Sequence, residues 1–111
     1  MRLVWHEAKR WSNLKKHGLD FIDSVWVLDS LIRLDIASER QGEWRCQSFA
    51  YVYKVLAVLA LVHLPFDEGT RIISYRRASE EEERIYHGWL ENHFNDDQGR
   101  APGQPQWPKP H

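Results

Sequence analysis

The longest apolar run of the chain, residues 55–62, constrains the fold more than any other segment. Val, Leu and Ala fill every position, so both faces of a strand built from this run would be apolar, as in the central strand of a sheet. The Leu and Ala content is also compatible with a buried helix segment, and periodicity alone does not separate the two. We favour the strand. The run is far too short to span a membrane.

Segments of alternating polarity lie on both sides of this run. Residues 32–36 alternate apolar and polar side chains, which predicts a half-buried strand, and aromatic residues recur at every second position of residues 49–53, which predicts another strand. Polar residues at 38–42 predict a loop between these strands. A second loop is predicted at residues 65–69, where Pro, Asp, Glu and Gly cluster before a strand that starts at Arg71.

Three helices are predicted from their start and stop signals. The first covers residues 7–17, with basic residues in its last turn and a glycine directly after it. The second covers residues 20–29 and begins at an aspartate that can cap it. The third begins with a capping box formed by Ser79 and Glu82 and ends near residue 93.

Composition limits the domain count and the classes of partner. The chain has 111 residues, of which 42% are hydrophobic, which predicts one folded domain with a single core. The net charge of −1 means that any nucleic-acid contact must come from a local basic patch. Residues 95–111 are rich in Pro and Gly and predict a flexible tail, which leaves residues 1–94 as the domain.

The cysteine content indicates the compartment. Cys46 is the single cysteine, so no internal disulfide is possible, and no Cys/His spacing around it is typical of a zinc site. The sequence therefore predicts a reducing, cytoplasmic environment and a small, half-buried role for Cys46. No nucleotide-binding, nucleophile-elbow or metal motif is present, so no cofactor and no metal ion are expected.

Arginines cluster in the β-branched segment at residues 71–77, just before the third helix. In a regular strand Arg71, Ile73, Tyr75 and Arg77 share one face, and the residues between them share the other. Guanidinium groups stay charged and present a planar set of donors that matches phosphate, which favours an anion or nucleic-acid site. The same charges are equally compatible with a solvated sheet edge that is protected from aggregation.

Five segments, taken in order, resemble the successive signatures of the BrnT toxins. They are Trp5-His6-Glu7-Ala8-Lys9, residues 13–21, Gly42-Glu43-Trp44-Arg45, Val62-His63 and residues 71–78. The resemblance covers residues 4–89. It implies an α+β, RelE-like fold in which two N-terminal helices pack on a small antiparallel sheet with a C-terminal helix. It also implies a ribonuclease toxin that inhibits translation and is neutralised by a BrnA-like ribbon-helix-helix antitoxin, with promoter DNA bound only through that antitoxin.

The resemblance also nominates site residues. Arg71, Arg76 and Arg77 match the family's last strand and Lys9 matches a position on the first helix, so these four are expected to form one basic surface that stabilises the charge developing on the phosphorus. His17 and His63 are the candidates for proton transfer, because unperturbed histidine titrates near neutrality. Alternatively, His17 caps a helix end and His63 is a core histidine. Cleavage without a metal ion is expected, since the chain has no clustered carboxylates of the kind that hold Mg²⁺.

Three residues depart from the family pattern. His6 replaces an acidic or amide helix cap, Tyr75 replaces a common alanine, and Phe66 lies where many members carry arginine. Phe66 removes a possible phosphate ligand. The alternative to a ribonuclease is therefore an inactive scaffold that keeps the toxin fold and serves only as the partner of a DNA-binding antitoxin.

Overall fold

The computed structural model describes residues 2–95, with five strands and three α-helices in that range. The helices are α1 (Glu7–His17), α2 (Val25–Leu28), which a 3-10 turn at Phe21–Ser24 precedes, and α3 (Glu80–Asn95). The strands are β1 (Leu3–Val4), β2 (Leu34–Arg40), β3 (Glu43–Val52), β4 (Ala57–Phe66) and β5 (Gly69–Arg77). Of the predicted tail at residues 95–111, Asn95 is the last residue of α3, and the rest lies outside the described residues. None of the described helices is long and apolar enough to cross a membrane.

The strands form one sheet in the order β1-β5-β4-β3-β2. Strands β2 to β5 pair antiparallel with their neighbours in the chain. Strand β1 pairs parallel to β5, with Leu3 opposite Thr70 and Val4 opposite Arg71. The sheet is therefore mixed, and the expectation of a purely antiparallel sheet was wrong. Two residues whose partners lie far along the chain carry no periodic signal, which is why sequence reasoning missed β1.

The apolar run does form the central strand. Its side chains alternate between two buried clusters, with Leu59 and Leu61 in one and Val58 and Ala60 in the other. The strand starts later than predicted, at Ala57, because the chain turns at residues 53–56. The strand interpretation is confirmed and its boundary is corrected.

The two clusters place helices on both faces of the sheet. On one face the sheet packs against the segment from the end of α1 to α2; the buried residues are Leu19, Phe21, Val27, Leu28, Ala50, Val52, Leu59, Leu61, Ile72 and Tyr75. On the other face it packs against α3, through Leu34, Phe49, Val58, Ala60 and Tyr86. We call these the N-terminal face and the α3 face.

Both predicted loops are tighter than expected. The first is a two-residue turn in which Gln41 and Gly42 have φ of 54° and 80°, as hairpin turns of this length favour. At the second, Pro65 belongs to β4 opposite Thr70. The Thr70 N–H donates to the Arg2 carbonyl, 2.8 Å away, so it points away from β4 and Pro65 occupies a position that needs no ladder donor.

The predicted helix ends are largely confirmed. Gly18 ends α1 in the left-handed conformation, with φ of 72°. Asp20 caps the next segment by accepting from the Ile22 N–H at 3.1 Å, but its first turn is 3-10 rather than α-helical. The capping box at α3 is present: the Ser79 N–H donates to Glu82 Oε1 at 2.8 Å, and the Glu82 N–H donates to Ser79 Oγ at 3.2 Å.

Candidate functional site

Helix α1 docks on the edge of β5 through one buried side chain, Asn13. Strand β1 pairs with β5 only at residues 70–71, so the rest of that edge has no strand partner. The Asn13 amide takes the place of a strand there: its Nδ2 donates to the Tyr75 carbonyl at 2.8 Å, and its Oδ1 accepts from the Tyr75 N–H at 3.1 Å. Nδ2 also donates to the Leu19 carbonyl at 2.9 Å. Sequence reasoning placed Asn13 in a motif but found no role for it.

This joint brings basic side chains of α1 alongside β5. Lys9 and His17 lie one turn before and one turn after Asn13 and share its side of the helix. Lys9 is exposed and His17 is half-buried. Burial lowers the pKa of His17, and the positive charges of Lys16 and Arg76 lower it further, so His17 lies within electrostatic range of the end of β5. We call Lys9, His17, Arg76 and Arg77 the basic edge.

Within the basic edge, Arg76 is not a free cation. Its Nη1 and Nη2 donate to the two carboxylate oxygens of Glu82 at 2.7 and 3.0 Å. Burial raises the pKa of Glu82, but the hydrogen bonds from Arg76 and Ser79 outweigh this and hold the pKa below its ordinary value. Arg77, by contrast, is exposed, and no carboxylate within residues 2–95 pairs with it.

The faces of β5 differ from the predicted alternation. A register shift at Val62 and His63 leaves Ile73 without a partner on β4, as in a β-bulge. Ile72 and Tyr75, an odd number of residues apart, are consequently both buried on the N-terminal face. Arg71 therefore lies on the opposite face from Tyr75, and the prediction that they share one face was wrong.

Arg71 lies at the other end of β5 from Arg76, about 15 Å away at the rise of a strand. Its guanidinium carbon lies 4.8 Å from the centre of the Phe66 ring. Its Nη2 is in hydrogen-bond contact with His6 Nε2. Among the described residues no carboxylate pairs with Arg71. Two of the three departures from the family pattern thus contact the same arginine.

His63 belongs to a separate network on the N-terminal face. Its Nε2 lies 2.7 Å from Ser48 Oγ, and that hydroxyl donates to Asp35 Oδ1 at 2.6 Å. Because the single Ser48 proton goes to the carboxylate, His63 Nε2 is the donor to Ser48. Arg33 Nε pairs with Asp35 at 3.0 Å. Burial lowers the pKa of His63, an effect that the charge of Asp35 opposes and that of Arg33 reinforces. No sequence signal linked these three strands.

Tyr75 has a structural role. Its side chain is fully buried, and its hydroxyl donates to the Asp23 carbonyl at 2.9 Å. Burial raises the pKa of the phenol, so it stays neutral. The departure from alanine at this position fills the core between β5 and the 3-10 turn.

The six nominated residues therefore occupy three places. Lys9, His17, Arg76 and Arg77 follow the α1–β5 joint, Arg71 lies at the start of β5, and His63 faces Ser48. In the part of the chain from residue 2 to 95, no group of three or more His, Cys, Asp or Glu side chains is placed to hold a metal ion.

Comparison with known proteins agrees with the resemblance that the sequence motifs suggest. A search of curated proteins finds no match. A family model matches residues 5–82, and it describes the ribonuclease toxin BrnT of a type II toxin-antitoxin system. The match covers all six nominated positions and all of the sheet except Leu3 and Val4. The chain therefore belongs to the BrnT family of ribonuclease toxins.

Proposed function

We propose that this chain is an endoribonuclease toxin that arrests translation by cutting RNA bound along the basic edge and at Arg71. The observation that carries the proposal is the α1–β5 joint. It brings Lys9 and His17 alongside a strand that supplies Arg71 and Arg77, both without carboxylate partners among the described residues. Cations in this arrangement suit a phosphate backbone, and a histidine near the end of their row suits proton transfer.

The proposed chemistry is attack by a ribose 2′-hydroxyl on the adjacent phosphorus, which breaks the bond from that phosphorus to the 5′-oxygen of the next nucleotide. One product then ends in a 2′,3′-cyclic phosphate, and the other begins with a 5′-hydroxyl once its leaving oxygen has taken a proton. His17 is the better candidate for the general base, because its half-buried ring lies near Arg76 and its pKa is lowered, which keeps it unprotonated near neutral pH. His63 is less suited, since its Nε2 is bonded to Ser48 on the N-terminal face. Arg77 stabilises the charge on the phosphorane next to His17, while Lys9 and Arg71 bind phosphates further along the strand, so no metal ion is required.

We also propose that the architecture is RelE-like and that a BrnA-like ribbon-helix-helix antitoxin neutralises the toxin in the cytoplasm. Support for the fold comes from the helices on the two faces of the sheet and from four antiparallel strands in chain order. The antitoxin would cover the unpaired cations, and the pair would bind promoter DNA through the antitoxin.

Induced expression tests the proposal. The double substitution Lys9→Ala with Arg77→Ala removes two exposed cations that make no described contact through their side chains, so the fold should survive and growth arrest should be lost. Arg40→Ala, which removes an exposed arginine at the end of β2, is the matched control and should keep full toxicity. A double variant that is expressed normally and remains fully toxic would contradict the proposed site.

A cleavage assay separates the mechanisms. Purified protein is incubated with RNA in excess EDTA, and the product ends are analysed. Products with 2′,3′-cyclic phosphate support the mechanism, whereas activity that needs Mg²⁺ or products with 5′-phosphates would refute it.

One observation favours the scaffold alternative: the nominated Arg76 is neutralised by Glu82. Absence of RNA cleavage both in excess EDTA and with added Mg²⁺, together with formation of a complex with the antitoxin, would establish that alternative.

A further inference from the structure

The hairpin that joins β4 to β5 presents an aromatic ring and a cation next to each other. Phe66 is the last residue of β4 and remains 40% exposed, although it carries a large apolar side chain. The Arg71 guanidinium carbon is 4.8 Å from the ring centre. Strand β1 pairs with Thr70 and Arg71 on the other edge of β5, and Phe66 pairs with Gly69, so the backbone on both sides of this contact is held in the sheet.

Arg71 has unused donors for an anion. A guanidinium carries five N–H groups, and the described hydrogen bond to His6 involves Nη2 alone. No carboxylate among residues 2–95 neutralises it, in contrast to Arg76. The His6 contact and the ring of Phe66 fix the plane of the guanidinium without removing its charge.

The surroundings add a second charge and an apolar floor. Lys9 follows His6 by three residues, so it lies one helical turn further along α1 on the same side. Leu64 is the cross-strand partner of Arg71 and points to the same face, where it is half-buried. An exposed ring, a fixed guanidinium and a nearby ammonium are together the groups that bind a base and its phosphate.

We propose that Phe66 and Arg71 form a subsite for one nucleotide of single-stranded RNA. The base stacks on the exposed side of the Phe66 ring and its phosphate accepts from the free N–H groups of Arg71. The subsite deepens the proposed function, on which it rests, by assigning to Phe66 a stacking contact with substrate in place of a lost phosphate ligand. It lies about 15 Å from Arg76, so it holds a nucleotide two or three positions away from one bound at the far end of β5.

Binding of a non-cleavable RNA tests the subsite apart from catalysis. The probe is a short fluorescent 2′-O-methyl oligonucleotide, which lacks the attacking hydroxyl, and the readout is Kd by anisotropy. Phe66→Leu should weaken binding by about 5- to 150-fold, the usual effect of losing one stacked base, and Phe66→Trp should preserve or tighten it. The control is Trp44→Leu, which removes an aromatic side chain that is more exposed than Phe66 from the neighbouring hairpin and should change Kd by less than about twofold.

Two further measurements identify the contacts. An oligonucleotide with an abasic position at the stacked nucleotide should bind wild type and Phe66→Leu equally. Arg71→Gln should lower the slope of log Kd against log salt by about 0.7, the value for one phosphate contact on a single strand. If Phe66→Leu does not keep the wild-type circular dichroism spectrum, the test rests on Phe66→Trp instead. Weaker RNA binding by Phe66→Trp than by wild type would overturn the proposal.

The outcomes separate the subsite from the proposed function. Cleavage by the wild type together with Kd values that Phe66→Leu leaves unchanged would overturn the subsite and retain the ribonuclease. Loss of RNA affinity in Phe66→Leu, with no cleavage by the wild type, would retain the subsite and overturn the ribonuclease. If Phe66→Leu loses binding to the antitoxin but binds RNA as tightly as wild type, Phe66 and Arg71 belong to a protein interface, and the nucleotide subsite is overturned.

Discussion

The joint between α1 and β5 depends on Asn13, and replacing this residue with alanine measures its contribution. The substitution removes three buried hydrogen bonds, one to the Leu19 carbonyl and two to the backbone of Tyr75. Each such bond contributes roughly 1 kcal/mol net, which gives about 3 kcal/mol. Alanine is the better helix former by about 0.5 kcal/mol, so the expected loss in the free energy of unfolding is about 2.5 kcal/mol.

Urea unfolding provides the measurement. The midpoint should fall while the slope m stays unchanged, because the folded state should bury nearly the same surface. For a domain of this size the melting temperature should fall by at least about 10 °C. Ser12→Ala, an exposed substitution in the same turn of α1, is the control and should stay within about 0.5 kcal/mol of wild type.

Asn13→Asp separates the two halves of the amide. It keeps an acceptor for the Tyr75 N–H but loses both bonds from Nδ2 and buries a charge, so it should be at least as unstable as Asn13→Ala. A loss below about 1 kcal/mol in Asn13→Ala would refute the reasoning. It would mean that water satisfies the edge of β5 and that α1 is held by its apolar contacts instead.

Three other substitutions test the remaining networks by urea unfolding. Tyr75→Phe should cost about 1 kcal/mol, because it leaves the Asp23 carbonyl without its donor, and should leave toxicity unchanged; a folded but non-toxic variant would contradict the structural role. Burial lowers the pKa of His63 in the folded protein, so His63 contributes stability above its unfolded pKa of about 6.5, and this stability is lost as the pH falls through the folded pKa. His63→Gln should flatten the plot of unfolding free energy against pH in this range, and an unchanged plot would exclude the effect. The pKa of Glu82 is also lowered, so its contribution to the free energy of unfolding is present above about pH 4.3 and is lost at lower pH. Glu82→Gln should remove this part of the acid dependence. A variant that stays as acid-sensitive as wild type would assign the loss of stability to other carboxylates.

Local signals in the sequence predicted most of the elements correctly. The extent of α1, its glycine stop and the capping box of α3 depend on residues within a few positions of each other, and all three are present. Strand β4 was predictable because a run that is apolar on both faces fits a central strand.

Features that depend on distant partners were not predictable in this way. Strand β1 exists because Gly69 allows close approach: a Cβ there would lie 2.6 Å from the Arg2 carbonyl oxygen. The bulge at Ile73 arises from the register between β4 and β5, and it reverses the predicted faces of the residues before it. Periodicity within one segment carries no information about either.

The candidate site also depends on contacts that the sequence does not indicate. The residue types predicted positive charge on β5 but not which arginine forms an ion pair with a carboxylate. The run of arginines predicts a phosphate site at Arg76, and the capping box predicts a helix start at Ser79. In the structure both features depend on Glu82, whose Oε1 accepts from the Ser79 N–H at 2.8 Å and from Arg76 Nη1 at 2.7 Å. Neither pattern alone indicates this shared carboxylate.

The shared carboxylate changes where β5 is positive and what RNA binding at its end requires. Arg71 contacts the Phe66 ring and His6 Nε2 and has no carboxylate partner among the described residues at the start of the strand, whereas the charge of Arg76 is offset by Glu82. A phosphate that takes the place of Glu82 on Nη1 and Nη2 of Arg76 would also remove the acceptor of the Ser79 N–H at the first turn of α3. Binding of an anion in the place of Glu82 would therefore be coupled to the start of α3, while binding of an anion to Arg71 would require no such rearrangement.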